Sequence, residues 1–402
     1  MNINSIFFLY FPWLFFSLIL FFVLKTKRKN IREKITFYVL LSMPFVFICY
    51  ISILWSIVIM TEPPVDLGLM FPGVKNNGTP YRSPWQAEVL TFFASVRYLM
   101  YLCKNNSAEF YARIIRFGNY LSLTIFAALF FFYVRKYKWN LTGAMFVVCV
   151  LTAGSMLVIK NIQLGNTNLW LAGLVMFFLT SHLYQNRVFD VTAGISLATA
   201  IMIKPYLVIP AFFILFKTVL DRGKGKFSRQ FYGALIWGSI VCFGIILIPD
   251  ISWKNYWEFF GAVSNLYTLP EFQNKLFYLN NSMIKYAGDF TRITSALTGF
   301  AFVILTYIFC RCRNMMNVIP FFFITQMFLP IFWQEHLMGV FPAFLCLFKG
   351  RGDRREALLM MLVVSLIVIA TFHFTFSALA VNSLLICLFV ISAYHKTFST
   401  SV

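Results

Sequence analysis

Apolar runs of roughly 20 residues recur along this chain from end to end, separated by short clusters of Lys and Arg. A helix of that length crosses a hydrocarbon core of about 30 Å. In lipid every backbone polar group must find its partner within the protein, so such runs fold as helices. Taking each run as a span places helices near 5–24, 36–60, 117–134, 141–159, 167–184, 190–203, 206–220, 232–248, 294–310, 317–332, 336–349, 357–374 and 376–394. Of the 402 residues, 60% are hydrophobic and only 12% are charged. A soluble domain carries about 25% charged residues, so this chain has too little polar surface to clothe a globule in water. The expected fold class is an all-α polytopic membrane protein of roughly 11–13 transmembrane helices.

The formal charge of +20 could suggest nucleic acid. Its distribution argues otherwise, because the basic residues sit in clusters at the ends of apolar runs. That is the orienting pattern of membrane proteins, in which cytoplasmic loops hold the excess of Lys and Arg. With the N-terminus outside, the cytoplasmic segments include Lys25–Lys34, Arg135–Lys138, Arg187, Lys217–Arg229, Arg311–Arg313 and Lys349–Arg355, which together hold most of the basic residues. The C-terminus then lies inside, and a bacterial plasma membrane is the expected location. The first run is not a secretion signal, since its positive cluster follows the apolar stretch instead of preceding it. Membrane lipids are therefore expected partners, and nucleic acid is not.

Most of the eight cysteines lie inside apolar runs, where a thiol behaves as a small hydrophobe. Cys310 and Cys312 have no neighbouring His or Cys cluster to complete the four ligands of a zinc site, so no metal is expected. Two external segments are long, about 61–116 and 249–293, while the cytoplasmic connections are short. Loops carry function on rigid scaffolds, so the chemistry belongs on the outer face. Residues 84–104 in the first loop are aromatic-rich but interrupted by Glu88, Arg97 and Lys104, the pattern of helices lying along the interface.

Five polar sites fall on that face. Asp66 follows the second span in Glu62-Pro-Pro-Val-Asp66; taken alone it reads as a solvated loop acid. Lys160 and Gln163–Asn168 lie at one outer junction, and Lys204-Pro205 at another. Asn280-Asn281-Ser282 comes late in the second loop, and Trp333-Gln-Glu-His336 opens a late span. A single Lys could snorkel, and a single His is usually structural. Polar groups at membrane depth are costly and usually functional, which gives weight to five of them on one leaflet.

In order along residues 60–350, these segments resemble glycosyltransferase family 87, the polyprenol-phosphate-mannose-dependent mannosyltransferases and their relatives in the GT-C superfamily. The carrying elements are Asp66, Gly78-Thr-Pro-Tyr81, Gly165-Asn-Thr-Asn168, Ile203-Lys204-Pro205, Asn280-Asn281-Ser282 and Trp333-Gln-Glu335-His336. Asn stands for the family's Gln at 166 and 281, and Glu335 for its first His; an extra span precedes the module. The resemblance implies a GT-C-type bundle, with 1–35 as an added helix and basic loop, 36–350 as the catalytic module and 351–402 as C-terminal helices. It also implies a polyprenyl-phosphate sugar donor, mannose by family default, and a glycan or glycolipid acceptor.

The residue types suit that reaction. A phosphate ester leaves as a weak base, so the two carboxylates of an ordinary glycoside hydrolase are not needed. One carboxylate, Asp66, suffices to take the acceptor's proton. Lys204 and His336, with Lys160 and Arg82 behind them, are the expected partners of the departing phosphate. Tyr81, Asn168, Asn281 and Glu335 are expected to bind sugar or acceptor, or to organise the loops. No Asp-x-Asp motif or Gly-rich phosphate loop occurs, so the sugar arrives on lipid and no cofactor is expected. Two other classes stay open: an outer-leaflet polysaccharide polymerase or ligase, which would rely on external Arg and His, and a lipid-linked glycan transporter, which would show repeat symmetry.

Overall fold

A computed structural model describes residues 31, 108–138, 157–158, 161, 166–184, 186–204, 207–246, 318–319, 321–323, 336–348, 354–372 and 377–394. The expected helices 5–24, 36–60 and 294–310, most of 141–159 and 317–332, the interfacial segment 84–104, the loop 249–293 and all of the added N-terminal segment 1–35 except Ile31 lie outside the described residues. What is described is helical, without strands. In chain order the helices are α1 (Ala108–Tyr137), α2 (Asn168–Ser181), α3 (Arg187–Ile203), α4 (Val208–Leu220), α5 (Lys226–Ile246), α6 (Leu337–Cys346), α7 (Arg354–Phe372) and α8 (Ser377–Tyr394).

Each of these coincides with an expected run, and α1 and α5 begin well before the hydropathy pattern suggests. α1 starts at Ala108, so residues 108–116 belong to a 30-residue helix and not to the first long loop. Glu109, Arg113 and Arg116 stop the apolar pattern there without stopping the helix. α5 starts at Lys226 because the charges of its first turn are paired across helices, as described below.

Helix α2 is the centre of the bundle, packed against α1, α3 and α6. It is buried on nearly every side, which fits its lack of a polar face. α1 runs parallel to α2: Asn119 lies beside Asn166, and the Ser122 hydroxyl reaches the carbonyls of Leu169 and Trp170 at 2.9 Å. That hydroxyl also accepts the Gly173 N–H at 3.0 Å. A Cβ at Gly173 would come within 2.6 Å of the same oxygen, so only glycine permits the approach. α6 runs parallel to α1, with Phe126 against Phe341 near one end and the Tyr133 hydroxyl on the Cys346 and Phe348 carbonyls near the other. α3 returns antiparallel to α2, bonded through the Ser196 hydroxyl to the Leu174 carbonyl at 2.7 Å. α5 then lies on α3, where Gly194 faces the Gln230 backbone and Gly233 the Val191 carbonyl with no room for a side chain.

The outward surface is apolar. Phe117, Leu121 and Phe132 on α1, Val219 and Leu220 on α4, Leu235, Ile236, Ile240 and Phe243 on α5, and Met361 on α7 are all exposed. Water-soluble monomers rarely expose so much contiguous apolar surface, and lipid is the solvent that would cover it. Among the described residues, Arg113–Tyr137 of α1 is the stretch long and apolar enough to cross a bilayer. The chain is a membrane protein.

Candidate functional site

The strand-free packing fixes which side chains share an end of the bundle. Asn168 opens α2, and α3 returns to finish beside it at Lys204. His336 precedes α6, which is parallel to α2, so it comes to the same end. Three of the residues expected from sequence to form the site are thus gathered at one end of the helices. All three are buried: Asn168 at 0% exposure, Lys204 at 6% and His336 at 7%. A lysine that merely snorkelled would extend its amine to the surface. Asp66, Tyr81, Arg82, Lys160, Asn281 and Glu335 lie outside the described residues.

Local sequence explains the shape of this end. The Asn166 side chain accepts the Asn168 N–H at 3.0 Å, a turn that an Asx residue makes with its own backbone before a helix. Asn161 holds the turn from the chain before it, its carbonyl accepting the Asn166 N–H at 3.0 Å. From α1, the Asn119 amide donates to the Asn166 carbonyl at 3.3 Å. Pro205, which has no N–H to donate, follows Lys204 where α3 stops, so the residue before it leaves the helical region. Asn119 and Asn161 did not stand out in the sequence. The only signal for them is a polar side chain inside an apolar run.

A second polar cluster occupies the opposite end. The Asp190 carboxylate, 1% exposed, receives Arg229 at 2.8 Å and Lys226 at 3.4 Å. Lys226 also donates to the carbonyls of Ser181 and Tyr184, at 2.8 and 3.1 Å, where α2 ends. His182 follows in the turn after α2, with Nδ1 3.5 Å from the Gln230 amide and its ring edge-on to Phe178. Among the described residues this is the densest group of charges, and it fastens α2, α3 and α5 together. Local sequence does not reveal it, because its members are separated by up to 48 positions.

The family model of glycosyltransferase family 87 matches residues 114–372. Comparisons with curated proteins and with solved structures return no match. The match takes in α2 to α7 and all but the first turns of α1, and with them Asn168, Lys204 and His336. It begins beyond Asp66, Tyr81 and Arg82. A match that covers well over half of the chain, with the buried polar residues of one bundle end inside it, shows that the chain belongs to glycosyltransferase family 87.

Proposed function

We propose that this membrane glycosyltransferase moves a sugar, mannose by family default, from a polyprenyl-phosphate donor to a glycan or glycolipid acceptor at the outer face of the membrane. The observation that carries the reading is the gathering of Asn168, Lys204 and His336, all buried, at one end of the helices. A buried lysine and a histidine at one end of the bundle are a setting for an anion, and a lipid phosphate is the anion that a bilayer-embedded transferase must receive.

The reaction is a single displacement. The acceptor oxygen forms its bond to the anomeric carbon as its proton passes to the Asp66 carboxylate. The bond from that carbon to the phosphate oxygen breaks, and its electron pair leaves with the polyprenyl phosphate. Attack opposite the leaving group inverts the anomeric configuration. Lys204 and His336 stabilise the departing phosphate, where charge grows in the transition state, and Lys160 and Arg82 are the further candidates for that role. Asn168 and Asn281 hydrogen-bond sugar hydroxyls, and Tyr81 and Glu335 order the acceptor side. No step calls for a metal or a cofactor. The protein spans the bilayer many times, with its N-terminus outside and its C-terminus inside; the apolar side chains exposed on α1, α4, α5 and α7 support that arrangement.

The test is transfer from radiolabelled polyprenyl-phosphate mannose by purified wild-type and Lys204→Met enzyme in lipid nanodiscs. Loss of one preorganised charge at the leaving group should lower kcat by about 10²–10³-fold. A folded Lys204→Met enzyme with wild-type kcat and KM would remove Lys204 from the site.

A further inference from the structure

We infer that Asn119, Asn161 and Thr167 form a pocket that reads the hydroxyl groups of a sugar at the Asn168 end of the bundle. The inference rests on the transferase reading above and extends it to residues on α1 and on the turn before α2. Each of the three is at least nine-tenths buried: Asn119 and Thr167 at 1% exposure and Asn161 at 0%. Each also has an oxygen sealed from solvent and without a hydrogen-bond partner among the described residues: Asn119 Oδ1, Asn161 Oδ1 and Thr167 Oγ1.

The three residues adjoin one short piece of backbone. Asn119 donates its amide to the Asn166 carbonyl, Asn161 accepts the Asn166 N–H, and Thr167 is the next residue. The nitrogen of each Asn side chain already donates one hydrogen bond, Asn119 to Asn166 and Asn161 to the Leu157 carbonyl at 2.8 Å. The atoms without any partner on the asparagines are oxygens, which accept, and the Thr hydroxyl can accept or donate. Buried acceptors without donors are costly, and native proteins leave few of them. A ligand that completes this set must bring several O–H donors on a compact frame. A pyranose does so; a phosphate or a polyprenyl chain brings none.

The cation-bearing residues Lys204 and His336 share this end of the helices, so phosphate and hydroxyl recognition are divided between different side chains. Both the donor and the acceptor carry sugars, and the shared chemistry is the ring hydroxyl. The experiment must separate the two sources.

Thr167→Val removes the hydroxyl at nearly constant volume, and Thr167→Ser keeps it. Transfer is measured with the lipid-phosphate donor varied at saturating acceptor, and then the reverse. The Val variant should raise KM for the one sugar that the pocket holds by roughly threefold to tenfold, with the other KM unchanged, and the Ser variant should stay near wild type. A donor or acceptor sugar deoxygenated at the recognised position should lose affinity toward wild type but not toward Thr167→Val. The substrate-free Val variant should melt at a higher temperature than wild type, because an unpaired buried hydroxyl has been removed. Unchanged KM for both substrates in Thr167→Val, or equal losses in the Val and Ser variants, would overturn the pocket. Wild-type enzyme that turns over no lipid-phosphate sugar would instead sink the transferase reading. A methyl glycoside that raises the melting temperature of wild type but not of Thr167→Val still supports the pocket in that case, and one that raises neither overturns it.

Discussion

Asp66→Asn enzyme is expected to transfer sugar about 10²–10⁴-fold more slowly than wild type, the usual contribution of a general base. The size of the loss follows from the chemistry of the two ends of the displacement. In the proposed reaction the leaving polyprenyl phosphate is stable as an anion and departs without a proton. The acceptor is a neutral hydroxyl that must lose one as it attacks, so the demand for proton transfer falls entirely on the incoming side. Asn keeps the shape and one acceptor oxygen of Asp but cannot hold the proton, so binding of both substrates should change little. The loss should then appear in kcat, with KM close to wild type. The acidic limb of the kcat profile against pH should vanish with it, because the group that titrates there is gone. Single-turnover transfer from radiolabelled polyprenyl-phosphate sugar measures both effects. Wild-type turnover by folded Asp66→Asn protein would exclude the carboxylate from the reaction. The assignment of Asp66 stands on its place after the second apolar run and on the family resemblance, since the family match itself starts at residue 114.

How far the sequence revealed this molecule depends on the range of the interaction concerned. Apolar runs are local, and the helices α2, α3 and α4 lie within a few residues of where the runs place them. Lys204-Pro205 could be seen as the end of a helix because proline acts on its immediate neighbours. The start of α5 could not: Lys226 and Arg229 look like loop charges until Asp190 is brought beside them by the antiparallel packing of α3 and α5. The same holds for Asn119, which is one polar residue in a long apolar helix until its amide meets the turn at Asn166. Asn168, Lys204 and His336 were legible individually as polar residues at run ends. Their gathering at one end follows from the order of the helices, as alternation of direction along the chain requires.

The charge cluster at the other end supplies the largest expected effect on stability. Lys226→Met with Arg229→Met removes both cations from a carboxylate that is 1% exposed. An ion left unpaired in the interior costs about 3–5 kcal/mol, and the carbonyls of Ser181 and Tyr184 lose their donor as well. The double variant should therefore unfold at markedly lower denaturant or temperature than wild type. The cost belongs to the stranded carboxylate and not to the ion pairs themselves, since desolvation offsets much of their attraction. Adding Asp190→Leu to the double variant should consequently restore most of the lost stability, although it removes the last member of the cluster. Transfer activity, measured at a temperature where the double variant stays folded, should remain near wild type, because Asp190 and Asn168 sit at opposite ends of the α2–α3 pair. A double variant as stable as wild type would mean that the carboxylate is not sealed from water as its exposure implies. A triple variant no better than the double would mean that the attraction between these charges, and not the isolation of Asp190, holds α2, α3 and α5 together.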